Sequence, residues 1–451
     1  MTNDFASLGI QIPEILLPGP AVDLSKWAVI ACDQYTSQPE YWEEAAEIAG
    51  ELPSTLNLIF PEVYLDKSGA EDRIGRIHRE MKKYLENGIL HSPGSGFVYI
   101  ERETSRASSR KGLLVALDLE CYDYQPNSLT LIRATEETVI ERIPPRVRIR
   151  EGASIELPHI MVLLDDPDGL VIEPVAAQLA KLKKLYSTVL MKNGGRVTGY
   201  QVNDPETVSD ILKGLKALAD PGNFRQRYQV TGDKVLLFAV GDGNHSLATA
   251  KAVWEKVKRN LPDPHETTGH PARYALVELV NLHDRGLKFE PIHRVLFNAE
   301  LDPLFEGMGR YFESQGARFG FEYLANRQLA GEKAQSLRSQ NPGAHFIEFV
   351  TKDKSGYINI EKPSHNLAVG SLQTALDHFM KLNSSVKIDY IHEDSTVTGI
   401  GSKTGNIGFY LPAMDKSDLF KTIILNGVLP RKTFSMGEAD EKRYYMECRK
   451  I

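Results

Sequence analysis

Six apolar residues, Val235 to Val240, run into Gly241-Asp242-Gly243-Asn244-His245-Ser246, and Leu247 to Trp254 follow with Leu, Ala, Ala and Val at helical spacing. The first run is of buried-strand type and the second is that of a helix with one apolar face. Gly241 and Gly243 allow a tight turn with positive φ, and Asn244 or Ser246 is placed to cap the helix. A strand, a glycine turn and a helix start make an anion seat, because the first helical N–H groups lack intrahelical partners and the helix dipole is positive there. Asp242 and His245 add an acid and an imidazole at the mouth of that seat, as phosphoryl or acid/base chemistry requires. Junctions of this kind also occur with nothing bound, so the pattern alone leaves both readings open.

The rest of the chain bounds what can surround this turn. With 451 residues, 42% hydrophobic and 25% charged, it has the composition of a globular protein of two or three domains. Lys and Arg total 53 against 60 Asp and Glu, a net charge of −7. That mild acidity argues against general nucleic-acid binding while allowing a local basic pocket. Cys32, Cys121 and Cys448 are scattered and form no C-x-x-C pair, which suits a reducing compartment. The first residues show neither the basic region nor the apolar region of a secretory leader, and no stretch approaches 18 apolar residues. The expectation is a cytoplasmic protein that acts on a small molecule, not on nucleic acid or membrane, and that can form homo-oligomers.

Taken in order, Trp27 to Cys32 reads as a buried strand, which puts Asp33 just past a strand end, where α/β sheets place their chemistry. A plain turn aspartate is the other reading. Arg133 to Arg150 is dense in charge, and Arg142, Arg146, Arg148 and Arg150 form either an anion-binding rim or, the preferred reading, the alternation of an edge strand. His159 to Leu164 reads as an apolar strand. It ends at Asp165-Asp166-Pro167-Asp168-Gly169, a turn sequence that is also acidic enough to consider for Mg²⁺. Glu173 to Tyr186 and Pro205 to Leu218 read as amphipathic helices. His265 and His270 share a polar loop without further metal-type ligands at matched spacing. Tyr274 to Leu282 and Leu287 to Ile292 read as strands, the second delivering His293 and Arg294, which can converge on one anionic ligand. Thr398 to Gly405 reads as a glycine-rich turn, and Arg431 with Lys432 offers basic phosphate-binding chemistry near Thr433 and Ser435. The expected domains are a core over 1–297, a second α/β lobe over 298–385, and a segment over 386–451 that returns to the core.

Gly399-Ile400-Gly401-Ser402-Lys403-Thr404 fails as a P-loop, since Ser402 and Val397 stand where glycines belong. With these residues in hand, the chain resembles the prokaryotic family known as domain of unknown function 1015. The likeness rests on D-Q-Y at Asp33, D-G-N-H-S at Asp242 to Ser246, the L-V-N-L-H-D-R-G-L pair, I-H-R at Ile292 to Arg294, I-D-Y-I-H, and L-P-R-K-T. The central motif also resembles the phosphate-binding motif of the ParB/sulfiredoxin fold, a superfamily that includes free-serine kinases. It departs from that motif at Asn244, where a histidine is usual, and at Ser246, where an arginine is usual. The arginine's bidentate phosphate fork is therefore missing, and Arg294 or Arg431 and Lys432 are candidates to supply the charge.

The resemblance implies an α/β protein of mixed sheets, with a ParB/sulfiredoxin-like core and an additional α/β lobe. It implies phosphoryl transfer from ATP, ADP or pyrophosphate, with Mg²⁺, to the hydroxyl of a small amino acid such as L-serine. In that scheme Asp33, Asp242 and His245 are catalytic, and Gly243, Asn244, Ser246, His293, Arg294, Arg431 and Lys432 bind phosphate or substrate. The alternative from another class is a non-catalytic nucleotide-binding regulator, which needs the anion seat but not Asp33.

Overall fold

The apolar run Tyr274–Asn281 is buried along its whole length, as a strand covered on both faces must be. In the computed structural model, which describes residues 2–107 and 109–451, it lies inside a large mixed sheet. It runs antiparallel to Arg110–Asp118 and parallel to Met161–Leu164. Beyond Met161–Leu164 come Phe238–Asp242, antiparallel to it, then Ile132–Ala134 and Tyr122–Asp123, each parallel to its neighbour. In the other direction Phe97–Glu103, Arg196–Val202 and Lys183–Val189 continue antiparallel, and Ile10–Gln11 pairs along Arg110–Asp118. Among the described residues these ten strands form one sheet, and the architecture is mixed α/β.

The chain divides into two compact units. The first comprises the residues up to Lys288 together with Met436–Ile451, and the second is Phe289–Ser435. The closing segment is threaded through the core of the first unit: Trp27 donates its indole N–H to the Met446 carbonyl at 2.9 Å, and Leu16 bridges Cys448. It also brings charge into that core. Arg443, 4% exposed, sits between Glu278 and Glu447, which are 1% and 0% exposed, and donates to both. Burial works to raise the pKa of Glu278, but Arg443 and Arg110 outweigh it and hold the carboxylate ionised below its usual range.

Several local expectations are corrected. The W-A-V-I-A-C segment is not a strand: Asp23 caps the short helix Leu24–Trp27, and the chain after it is extended with a single bridge, Ile30 to Tyr444. The V-R-I-R stretch is not an edge strand but part of the helix Ile143–Arg150, whose first turn holds Pro144 and Pro145, where proline's missing N–H costs nothing. Of the expected helix from Glu173 to Tyr186 only Glu173–Ala176 is α-helical. Lys183–Val189 is instead a strand, zipped against Arg196–Val202 across the Gly194-Gly195 turn. The helix Pro205–Leu218 forms as predicted, with Asp204 capping it through Thr207 N at 2.8 Å.

In the second unit six strands pair antiparallel in the order Arg318–Leu324, Ser355–Glu361, Ala344–Val350, Asn406–Tyr410, His293–Phe297 and Lys387–Ile391. The Thr398 to Gly405 turn is another correction: Asp394–Gly401 is helical, because only Gly405 in that stretch takes a positive φ. Of the expected strand from Leu287 to Ile292, Phe289–Pro291 forms, and His293 and Arg294 follow it at the opening of the next strand, His293–Phe297.

Candidate functional site

The helix of the central motif is Asn244–Asn260, and its cap position is Gly243 in the left-handed region, φ +79°. Neither Asn244 nor Ser246 caps it, contrary to expectation, since the turn closes one residue earlier and puts Asn244 inside the first turn. The first ladder bond runs from Leu247 N to Gly243 O at 3.0 Å. The helix start therefore has no side-chain cap, and its first-turn N–H groups have no partner within the helix. A Cβ on Gly243 would stand 3.0 Å from Ile160 Cγ1 and 3.1 Å from Ile160 Cα, so both the φ and the space select glycine.

Around this start the motif residues have distinct environments. Asp242 Oδ1 accepts from Gly243 N at 3.0 Å, and its Oδ2 lies 3.1 Å from Lys442 Nζ, so a buried lysine from the closing segment stands at the turn. His245 Nε2 accepts from the Val139 N–H at 3.2 Å, which fixes the ring against the segment after Ile132–Ala134. Asn244 Nδ2 reaches Thr135 Oγ1 at 3.4 Å, and its buried Oδ1 has no hydrogen-bond partner.

Ser246 faces another way. Its Oγ lies 2.8 Å from His159 Nε2, and His159 Nδ1 lies 2.8 Å from the Tyr445 hydroxyl, which accepts from Cys32 N at 3.1 Å. His159 enters the sheet just ahead of Met161–Leu164, and the closing segment holds it there. Arg443 Nε donates to Pro158 O at 2.8 Å, and the His159 and Tyr445 rings meet edge to face with centroids 5.5 Å apart. Ser246, His159, Tyr445 and Cys32 line one cavity with about 840 Å³ of empty space, its open mouth included. On its far wall Arg146 Nε donates to Glu62 Oε1 at 2.7 Å. Burial raises the Glu62 pKa, with Arg146 pulling the other way and Asp33 adding to the rise. Burial also pushes the Tyr445 phenol well up, again with a contribution from Asp33. The chain of hydrogen bonds through His159 runs from Ser246 to the backbone N–H of Cys32, the residue before Asp33.

The remaining candidates belong to the second unit. His293 Nε2 lies 2.8 Å from Asp394 Oδ1, and its Nδ1 accepts from Leu411 N at 3.0 Å. Burial lowers the His293 pKa, with Asp394 opposing the shift. Arg294 is fully buried and donates to Gln373 Oε1 and to the carbonyls of Ile292, Arg431 and Lys432. Arg431 lies 2.6 Å from Asp377 Oδ1, and Lys432 has a left-handed backbone with φ 54°.

His159, Tyr445, Glu62 and Lys442 were not singled out from the sequence. The nearest signal was a lone histidine after Pro158 at the entrance to an apolar strand. The arginine rim is dispersed: Arg146, Arg148 and Arg150 pair with Glu62, Glu71 and Glu156. In the Asp165 to Gly169 turn, Asp165 pairs with His283, and Asp166 accepts from Val171 N. Among the described residues no group of three or more His, Cys, Asp or Glu side chains is placed to hold a metal ion. Among them, too, no helix is long and apolar enough to cross a membrane.

Comparison with known proteins gives the following. No curated protein matches the chain. Among solved structures, a conserved hypothetical protein from Pyrococcus furiosus is 12% identical, with 73% of this chain and 95% of that one covered and a TM-score of 0.34. A free serine kinase in complex with AMP is 11% identical, covering 76% and 93% with a TM-score of 0.36. SbnI with C-terminal truncation from Staphylococcus aureus is 8% identical, covering 72% and 82% with a TM-score of 0.33. The sequence profile described as "Protein of unknown function (DUF1015)" matches residues 16–379, most of the chain, and the protein therefore belongs to that family.

Proposed function

We propose that the first unit transfers a phosphoryl group from a nucleotide or pyrophosphate to the hydroxyl of a small acceptor. The observation that carries this reading is the uncapped helix start after Gly243, flanked by Asp242 and His245 and opening through Ser246 onto the cavity. The donor phosphates lie against the first-turn N–H groups of Asn244 to Ser246, where the helix dipole favours negative charge. Lys442, held at the turn by Asp242, supplies positive charge where the usual arginine is replaced by Ser246. His245 orients the transferring group from the side of the turn. In the transfer, the acceptor oxygen forms a bond to phosphorus as the bond to the donor oxygen breaks, and the acceptor proton passes to Asp33. Phosphoryl transfer depends on positioning and charge neutralisation more than on covalent chemistry, which these residues can provide.

Within the second unit, Arg294 fixes the 431–432 turn through its bonds to those carbonyls. The test is product formation from ATP, ADP or pyrophosphate across a panel of hydroxyl compounds, with and without Mg²⁺. Phosphorylated product supports the proposal; nucleotide binding without turnover across the panel favours the regulator instead.

A further inference from the structure

We infer that the cavity beside Ser246 takes an uncharged alcohol with an apolar body, not a zwitterionic amino acid. This inference rests on the phosphotransferase reading only in identifying the occupant as the acceptor. Its basis is the lining. Leu58, Phe60, Met81, Ile149, Leu157 and Leu276 make the walls apolar, and they belong to or pack against the main core of the first unit. The charged residues that reach the cavity are already matched. Arg146 forks onto Glu62, and Arg150 lies 2.6 Å from Glu156, which Arg449 holds from its other side at 2.7 Å. Glu156 is ionised below its usual range, because Arg449 and Arg150 outweigh the effect of burial. A zwitterion entering here would bury an ammonium and a carboxylate beside groups that have partners, a cost with no matching gain.

The polar end of the cavity fits a single hydroxyl. In the tautomer in which His159 Nδ1 accepts from the Tyr445 hydroxyl, its Nε2–H donates to Ser246 Oγ. The Ser246 hydrogen then turns toward the cavity as a donor for an alcohol oxygen. Along the apolar walls each further CH₂ of the ligand leaves water for hydrocarbon contacts, which raises affinity about fourfold per group.

The experiment titrates the full chain by calorimetry with 1-butanol to 1-octanol and, separately, with L-serine. Affinity is expected to climb about fourfold per carbon over the early members, the factor for one buried CH₂, with no L-serine binding over the same range. Leu157→Trp and Ala153→Trp, at partly exposed lining positions, each narrow the cavity and should weaken alcohol binding by roughly tenfold or more, the loss of two buried CH₂ groups. The pair guards against one of them failing to fold, which thermal melting reports. L-serine binding in preference to the alcohols, a flat response to chain length, or alcohol binding untouched by either tryptophan would overturn the inference. Alcohol binding without phosphoryl transfer to any acceptor would leave the inference standing and remove the transferase reading. Phosphoserine formation with no alcohol binding would do the reverse.

Discussion

The Ser246 hydroxyl and the His159 imidazole, 87 residues apart in sequence, meet at 2.8 Å and join the start of the Asn244–Asn260 helix to the cavity beside it. Tyr445, from the last residues of the chain, holds the other ring nitrogen at 2.8 Å. In the proposed transfer, this relay makes His159 a positioning residue for Ser246 and for the acceptor hydroxyl. His159→Phe should lower turnover by on the order of 10-fold to 100-fold, the low end for losing a group that orients a proton. The loss should fall on kcat, with KM nearly unchanged. His159→Gln, which can still bond Ser246, should recover part of the rate. Equal losses in His159→Phe and His159→Gln would mean that the residue only supports the fold.

Gly243 tests the geometry of the turn itself. Gly243→Ala must adopt a left-handed φ and crowd Ile160, which costs roughly 1–2 kcal/mol. A drop in the thermal midpoint of about 2–8 °C is expected, scaled from domains somewhat smaller than this unit. Phosphate-donor affinity should fall with it. A variant as stable as wild type, binding nucleotide equally well, would show that the conformation at 243 is not what shapes the site.

The buried charges around Arg443 make a separate prediction about stability. Arg443→Met leaves Glu278 and Glu447 buried without their shared partner, and breaking such a pair destabilises by about 3–5 kcal/mol. Urea denaturation should show the loss, and the midpoint should shift well below that of wild type. Because Arg443 also holds Pro158 O at 2.8 Å, His159 should become less ordered in the same variant. A shift under about 1 kcal/mol, the scale of an exposed pair, would contradict the account of this network.

His345 predicts a pH dependence in the second unit. Burial holds its pKa down to about 4, well below the usual histidine value, while Nδ1 lies 3.0 Å from Ser371 Oγ. The folded state favours the neutral ring, so on acidification the unfolded chain takes up this proton first. Stability from this residue is fully present above about pH 6.5 and is lost as the pH falls toward 4, roughly 3 kcal/mol in all. His345→Gln should flatten the decline in unfolding free energy between pH 6.5 and 4.5. Parallel pH curves for wild type and variant would refute the assignment.

Much of the central element was legible because its signals are local. The apolar run, two glycines and a helical repeat placed the strand Phe238–Asp242 and the start of the helix Asn244–Asn260 to within three residues, while the helix runs on past Trp254, where the apolar repeat ends. Asp33 was placed near the turn for a reason the structure changes: the segment before it is extended and bridged to Tyr444, not an inner strand. What could not be read was carried by long-range partners. Tyr445 and His159 lie 286 residues apart, and nothing in Arg443-Tyr444-Tyr445 as a string marks it as part of a site. Arg146 looked like one tooth of a basic strand, whereas two prolines start a helix that turns it onto Glu62. Arg294 looked like a free phosphate ligand beside His293, yet its partners are carbonyls reached only through tertiary packing.

The central claim is that the turn at Asp242 to Ser246 carries out phosphoryl transfer, and phosphorus NMR of the reaction mixture tests it most directly. Wild type, Asp242→Asn and His245→Ala are incubated with ATP, ADP or pyrophosphate against L-serine and the alcohol series, alongside nucleotide titrations and thermal melts. The account predicts a new phosphate ester with wild type. Each variant should form it slower by on the order of 10² or more, the scale for losing a positioned charge or acid/base group, with melting temperatures nearly unchanged because both side chains are only partly buried. No ester from any donor and acceptor, with nucleotide still bound, would contradict the account and leave a binding protein in its place.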